Sequence, residues 1–254
     1  MIIDADVHLS PLTEYETNMN LDKLLAAMEE SGVDKALCWA HRPYVRDRLS
    51  EVQKYLYESM KRFPDRILGF GWIDPRLGRQ AARDELHRCL YEYGFYGIKF
   101  NGSQNEHLND DPDLVLPLVE EIARCGSVLA LHTGADACEN THPLRVRNLA
   151  KRYPELRILM VHMGGASSSD LSLSAIEVAK ECKNVTIIGS EIGTRALLKA
   201  IRELGADRVC FGSDTPFGVM RAEVGKYQGM LKGVATEEEK ELIFSGNIRR
   251  VLGV

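Results

Sequence analysis

VLALHTG at residues 128–134, followed by the segment 143–152 and then ILMVHMGG at 158–165, sets the reading of the fold. Each run is short, apolar and of strand length, and each reaches a histidine. The segment between them has helical length, so together they read as a β-α-β unit of a parallel sheet. Outward from this unit the same alternation covers the chain. Strands are expected at Ile2–Val7, Lys35–Trp39, Ile67–Trp72, Gly97–Phe100, Val128–His132, Ile158–His162, Val185–Gly189 and Val209–Gly212. Eight such runs suggest a closed barrel rather than an open sheet. Helices are expected at Leu21–Ser31, Leu49–Arg62, Arg79–Tyr93, Pro112–Cys125, Pro143–Arg152, Leu171–Lys180, Thr194–Leu204 and Val219–Leu231. In the first of these Leu21, Leu24, Leu25 and Met28 share one face, as a helix packed on a barrel requires. A last helix, Glu237–Leu252, is expected after Thr236, which can cap it with Glu239 three residues on. The expected architecture is α/β: a single (β/α)8 TIM barrel over residues 1–254 with an additional C-terminal helix.

The 254 residues suit one such domain, which typically takes roughly 250. A composition 44% hydrophobic and 27% charged is that of a soluble globular protein. No stretch approaches the roughly 20 apolar residues of a membrane span. MIIDADVHLS shows no basic segment leading into a long apolar one, so a cytoplasmic protein is expected. Thirty-two Lys and Arg against 37 Asp and Glu leave a net charge of −5, without the basic excess of a nucleic-acid binder. The expected ligand is a small molecule. Cys38, Cys89, Cys125, Cys138, Cys182 and Cys210 form no CxxC pair and are expected to be free thiols.

Polar residues fall at the ends of the strands: Asp6 and His8 at the first, Lys99 at the fourth, His132 at the fifth, His162 at the sixth, Asp214 after the eighth. In a parallel barrel those ends share one rim, where active sites form. Asp6 and His8 are two apart and so point to one side of a strand, offering two ligands to one ion. Asp4 lies two residues earlier and is expected on the same side, orienting a ligand. Imidazole and carboxylate suit zinc, and also manganese or iron. The long segments Ser10–Asn20, His41–Arg48, Asn101–Asp111 and Gly134–His142 each follow a strand and are expected to wall the same rim.

The motifs IDADVH, GIKF, LALHTG, LMVHMGG and CFGSDTPFG, taken together, resemble the amidohydrolase superfamily. Within it they are similar to the branch of amidohydrolase-related hydrolases and nonoxidative decarboxylases such as aminocarboxymuconate-semialdehyde decarboxylase. The resemblance implies one divalent metal ion, Zn2+ ahead of Mn2+, held by Asp6, His8, His132 and Asp214. His162 and Asp214 would be the catalytic residues; from their places at the end of the fourth strand and just after the second, Lys99 and Arg42 are expected to bind an anionic substrate, with an ion pair as the alternative for each. Asp-x-His here stands where the family more often has His-x-His. Two chemistries share these residues. A metal-activated water could hydrolyse an amide, ester or lactone, with Asp214 taking its proton. Alternatively the metal could hold a carboxylate while His162 or Asp214 protonates the carbon that loses carbon dioxide. Chain length tilts the expectation toward the hydrolase, with decarboxylation of an aromatic or enoic acid as the alternative and a non-catalytic binding barrel as a third reading. A homodimer is expected by analogy.

Overall fold

The computed structural model describes residues 1–12, 18–41, 46–166 and 170–254. Nine strands follow in chain order: β1 (Ile3–Leu9), β2 (Lys35–Ala40), β3 (Ile67–Gly69), β4 (Gly71–Trp72), β5 (Gly97–Phe100), β6 (Val128–Gly134), β7 (Arg157–Ala166), β8 (Val185–Ile188) and β9 (Val209–Cys210). All neighbouring strands run parallel, in the order β1-β2-β3 and β4-β5-β6-β7-β8-β9. The expected run Ile67–Trp72 is thus broken at Phe70, whose backbone N–H still donates to Cys38 O at 2.9 Å. β3 pairs with β2, and β4 pairs with β5. At the other seam Ala5 N donates to Phe211 O (3.1 Å) and His8 N to Thr215 O (2.8 Å), joining the last strand to the first. The eight strands expected from sequence form this ring, with β3 and β4 making up the third.

Helices return the chain between strands: α1 (Leu21–Ser31), α2 (Leu49–Arg62), α3 (Arg79–His87), α4 (Leu116–Arg124), α5 (Cys138–Thr141), α6 (Pro143–Arg152), α7 (Ser172–Glu181), α8 (Thr194–Leu204) and α9 (Met220–Leu231). α1 begins where Asn20 accepts from Lys23 N and ends at Gly32, whose φ of 66° suits a residue without a side chain. The expected helix Arg79–Tyr93 changes to a wider π-helical turn at Arg88–Glu92. The expected C-terminal helix is likewise divided, into α10 (Glu237–Glu241), a π-helical turn (Leu242–Gly246) and α11 (Asn247–Leu252). Its Thr236–Glu239 capping box is present. No described helix is long and apolar enough to cross a membrane. All six cysteines are free thiols.

Burial on both faces divides each strand's side chains between two apolar clusters. Leu37, Trp39, Val128, Ala130, Leu159 and Val161 pack together inside the ring, whereas Ala36, Cys38, Leu129, Leu131, Ile158 and Met160 pack toward the helices. Ile248, Val251 and Leu252 of α11 join the inner cluster with Ile3 and Val128, so the C-terminal helix closes the barrel at the ends where strands begin. The opposite ends carry the site.

Candidate metal and catalytic site

Asp6 and His8 face inward because β1 departs from regular pairing. Asp4 pairs with Ala36 and Val7 with Cys38, so β1 spends one extra residue between them. Such a bulge reverses the alternation of side chains. Ile3 and Ala5 therefore belong to the inner cluster and Val7 and Leu9 to the outer one. Asp4 consequently does not share the side of Asp6 and His8, contrary to the sequence expectation. Its Oδ1 accepts instead from Ser213 N (2.9 Å) and Asp6 N (3.1 Å), tying β1 to the segment that carries Asp214. Burial pushes the Asp4 carboxyl up to about 7.

Other residues at this end of the barrel adopt a left-handed backbone. Regular alternation would send His162 outward with Ile158 and Met160. Positive φ at His162 (66°) and Met163 (51°) turns it into the barrel. Asp214 (φ 56°) and Glu191 (φ 55°) are held the same way. A non-glycine residue there costs on the order of 1–3 kcal/mol, a cost concentrated at functional sites.

Three of the four expected ligands meet. One ligand atom each from Asp6, His8 and Asp214 lies within 4.8 Å of the others, and all three residues are buried. His8 Nδ1 is 3.0 Å from Ala40 O, a pure acceptor, so Nδ1 carries the hydrogen. Nε2 then bears a lone pair, and Trp39 Nε1 donates to it at 3.2 Å. That nitrogen faces Asp214 Oδ1 at 3.2 Å and Asp6 Oδ1 at 4.0 Å. Neither carboxylate oxygen has a hydrogen-bond partner among the described residues. Three converging ligand atoms, two of them carboxylate oxygens with no donor, fit a divalent cation that would take the His8 Nε2 lone pair in place of Trp39 Nε1. His132 does not join this group: its Nε2 pairs with Asp136 Oδ2 at 2.9 Å, and its ring stands 4.7 Å from that of His162.

Electrostatics favour the neutral forms of His8 and His162. Burial lowers His8 and His162 well below the ordinary imidazole value, and Lys99 adds to the effect in both. Lys99 Nζ lies 3.8 Å from Asp6 Oδ1 and 3.7 Å above the Trp39 ring, with Trp72 at 5.0 Å. Burial lowers it to about 8 against the opposing pull of Asp6 and Asp214. Burial raises Asp214 well above the ordinary carboxylate range, with the Asp6 charge next in effect.

Above these groups opens a cavity of about 210 Å³ whose walls include Asn101, Gln104, His132, His162, Glu191 and Phe217. Lys99 sits among the tryptophans rather than in those walls. Arg42, the other expected substrate-binding residue, lies outside the described residues. Sequence reasoning missed Trp39, Ser190, Glu191 and Asp136. Asp136 alone carried a signal, standing four residues after His132.

Comparison with known proteins places the chain among relatives in sequence and in fold. A family model described as amidohydrolase matches residues 3–254. The chain is 22% identical over 253 residues to 2-amino-3-carboxymuconate-6-semialdehyde decarboxylase of Dictyostelium discoideum, covering 85% of this chain and 69% of that protein. It is 27% identical over 252 residues to gamma-resorcylate decarboxylase of Rhizobium radiobacter, covering 77% and 76%. In fold it is similar to 2,6-dihydroxybenzoate decarboxylase from Rhizobium, with a TM-score of 0.78 at 21% identity over 99% of this chain and 98% of that one. It is also similar to a dihydroxybenzoic acid decarboxylase from Polaromonas sp. JS666 with bound manganese and 2-nitroresorcinol, with a TM-score of 0.77 at 21% identity over 99% and 96%.

Proposed function

The chain belongs to the amidohydrolase family, and we propose that within it this enzyme is a metal-dependent nonoxidative decarboxylase of a small aromatic or enoic carboxylic acid. The observation that carries the proposal is the convergence of Asp6, His8 and Asp214 beneath a cavity that His162 also lines. The curated relatives above are decarboxylases, which favours this alternative over the hydrolytic reading of the sequence.

A divalent ion held by Asp6, His8 and Asp214 would supply a Lewis acid for the substrate's carboxylate and a neighbouring oxygen. We assign Zn2+ or Mn2+. Two carboxylates to one imidazole is a harder donor set than a histidine-rich one, and so shifts the balance toward manganese. Ala40 O orients His8 for this role, as a ligating histidine requires. Phe217, its ring 5.3 Å from that of His8, offers a flat apolar wall to a planar substrate. His162 is the acid–base group, its Nε2 left for the cavity while Nδ1 is engaged at Ser190.

The test is release of carbon dioxide from 2,6-dihydroxybenzoate, 5-carboxyvanillate and 2-amino-3-carboxymuconate-6-semialdehyde by protein loaded with Zn2+ or Mn2+. Lactones and amides are assayed in parallel. Turnover of a lactone or amide, with no carbon dioxide from any acid, returns the enzyme to the hydrolases.

A further inference from the structure

Ser190 follows β8, on the opposite side of the sequence from β1, yet it joins two residues of the site. Its Oγ lies 2.9 Å from His162 Nδ1 and donates a short hydrogen bond to Asp6 Oδ2. Asp6 thereby divides its two oxygens: Oδ2 takes Ser190, and Oδ1 is left for the cation. Ser190 is fully buried, so water does not compete for these bonds.

The direction of the hydrogens follows from counting them. Asp6 receives the Ser190 hydroxyl on Oδ2 and faces Lys99 Nζ at 3.8 Å with Oδ1, the contacts of an ionised carboxylate. An ionised carboxylate only accepts. The single hydroxyl hydrogen of Ser190 therefore goes to Asp6, and Ser190 Oγ must accept from the imidazole. A neutral imidazole has one N–H, so the hydrogen sits on His162 Nδ1 and Nε2 is bare.

We propose that Ser190 is a positioning residue that locks His162 in its Nδ1–H form, by giving its own hydrogen to Asp6, and so presents Nε2 to the cavity as a proton acceptor. The functional consequence rests on the decarboxylase reading; the tautomer itself does not. His162 cannot protonate a substrate carbon until Nε2 has taken up a proton from solvent. When the carbon–carboxyl bond breaks, its electron pair stays on the carbon, carbon dioxide leaves, and the proton on Nε2 passes to that carbon. One proton is consumed and His162 returns to the Nδ1–H form. While doubly protonated, the ring keeps its Nδ1–H on Ser190, with Asp6 Oδ2 3.4 Å from that nitrogen.

The surrounding backbone is built to hold Ser190 still. Tyr227 donates to Gly189 O at 2.8 Å, and a side chain at Gly189 would meet that hydroxyl at 2.2 Å. Glu191 then turns the chain at φ 55°. Ser190 is thus fixed from both sides, as a residue that orients a catalytic group requires.

The experiment is two-bond 15N–1H correlation on the Zn2+-loaded full chain labelled with 15N-histidine, at about pH 8, above the ordinary imidazole titration. His162 is assigned by its absence from the His162→Gln spectrum. The expected wild-type pattern is a protonated Nδ1 and a bare Nε2. Ser190→Ala is expected to shift His162 toward the Nε2–H form, and Ser190→Thr, which keeps the hydroxyl, to restore the wild-type pattern. A wild-type His162 protonated at Nε2 overturns the proposal without any variant having to fold. So does a Ser190→Ala protein that loses zinc but keeps the Nδ1–H pattern, since Ser190 would then serve Asp6 alone. No substrate is present, so failure here is distinct from failure to release carbon dioxide.

Discussion

Ala40 O and His8 Nδ1, 3.0 Å apart on adjacent strands, decide which nitrogen of His8 can bind a cation. Because Nδ1 carries the hydrogen, Nε2 keeps its lone pair beside Asp6 and Asp214, and one divalent ion per chain is expected. His8→Ala and Asp214→Asn should each reduce metal content from about one to near zero while circular dichroism shows the fold retained. Folded variants that hold full metal by elemental analysis would sink the site.

Stability should fall in acid through His8 and His162. Burial lowers both below the unfolded value of 6.5. Below that pH the unfolded chain takes up protons that the folded chain refuses, so their contribution is present above about 6.5 and lost as pH falls toward the folded values. Metal occupancy should weaken over the same range, because His8 must be neutral to bind. Urea midpoints and zinc competition between neutral and mildly acidic pH measure both; flat profiles contradict the assignment.

Asp4 acts with the opposite sign. Its folded value of about 7 exceeds the unfolded 3.8, so it favours the folded state below the unfolded value and loses that contribution as pH rises to the folded one. Asp4→Asn keeps an oxygen for Ser213 N and Asp6 N but cannot ionise. It should gain on the order of 2–4 kcal/mol over wild type above neutrality and little in acid. An advantage that does not grow with pH refutes this account.

Lys99 places a cation 3.8 Å from a carboxylate of the metal site. Lys99→Met keeps an apolar stem against Trp39 and removes the charge, so metal should bind more tightly, by about tenfold. Competition dialysis reads this directly. Weaker binding would make Lys99 a support for the ligands rather than a counter-charge to the ion.

Gly97 begins β5 where an added Cβ would meet Val128 O at 2.2 Å and Phe70 at 2.3 Å. Carbonyl backbone cannot yield as a side-chain tip can, so Gly97→Ala should destabilise by about 1–3 kcal/mol. A thermal midpoint equal to that of wild type would show that the barrel relaxes there.

The sequence determined the elements. Leu49–Arg62, Pro143–Arg152 and Thr194–Leu204 begin and end where their apolar spacing and flanking residues place them. Asp6, His8, His132, His162 and Asp214 were legible because strand ends in a parallel barrel share one rim. The tertiary structure decided which of them act together. The bulge in β1 separates Asp4 from Asp6, and left-handed backbone turns His162 and Asp214 inward. Neither is visible in side-chain spacing, because local spacing assumes regular strands. Ser190 reaches Asp6 across 184 residues, and Trp39 reaches His8 from the neighbouring strand. Both are ordinary residue types, and only the pairing of β1 with β2 for Trp39, and closure of the ring for Ser190, gives them a partner. Local periodicity records what each segment buries; a site assembled from several strands is fixed by how the segments meet.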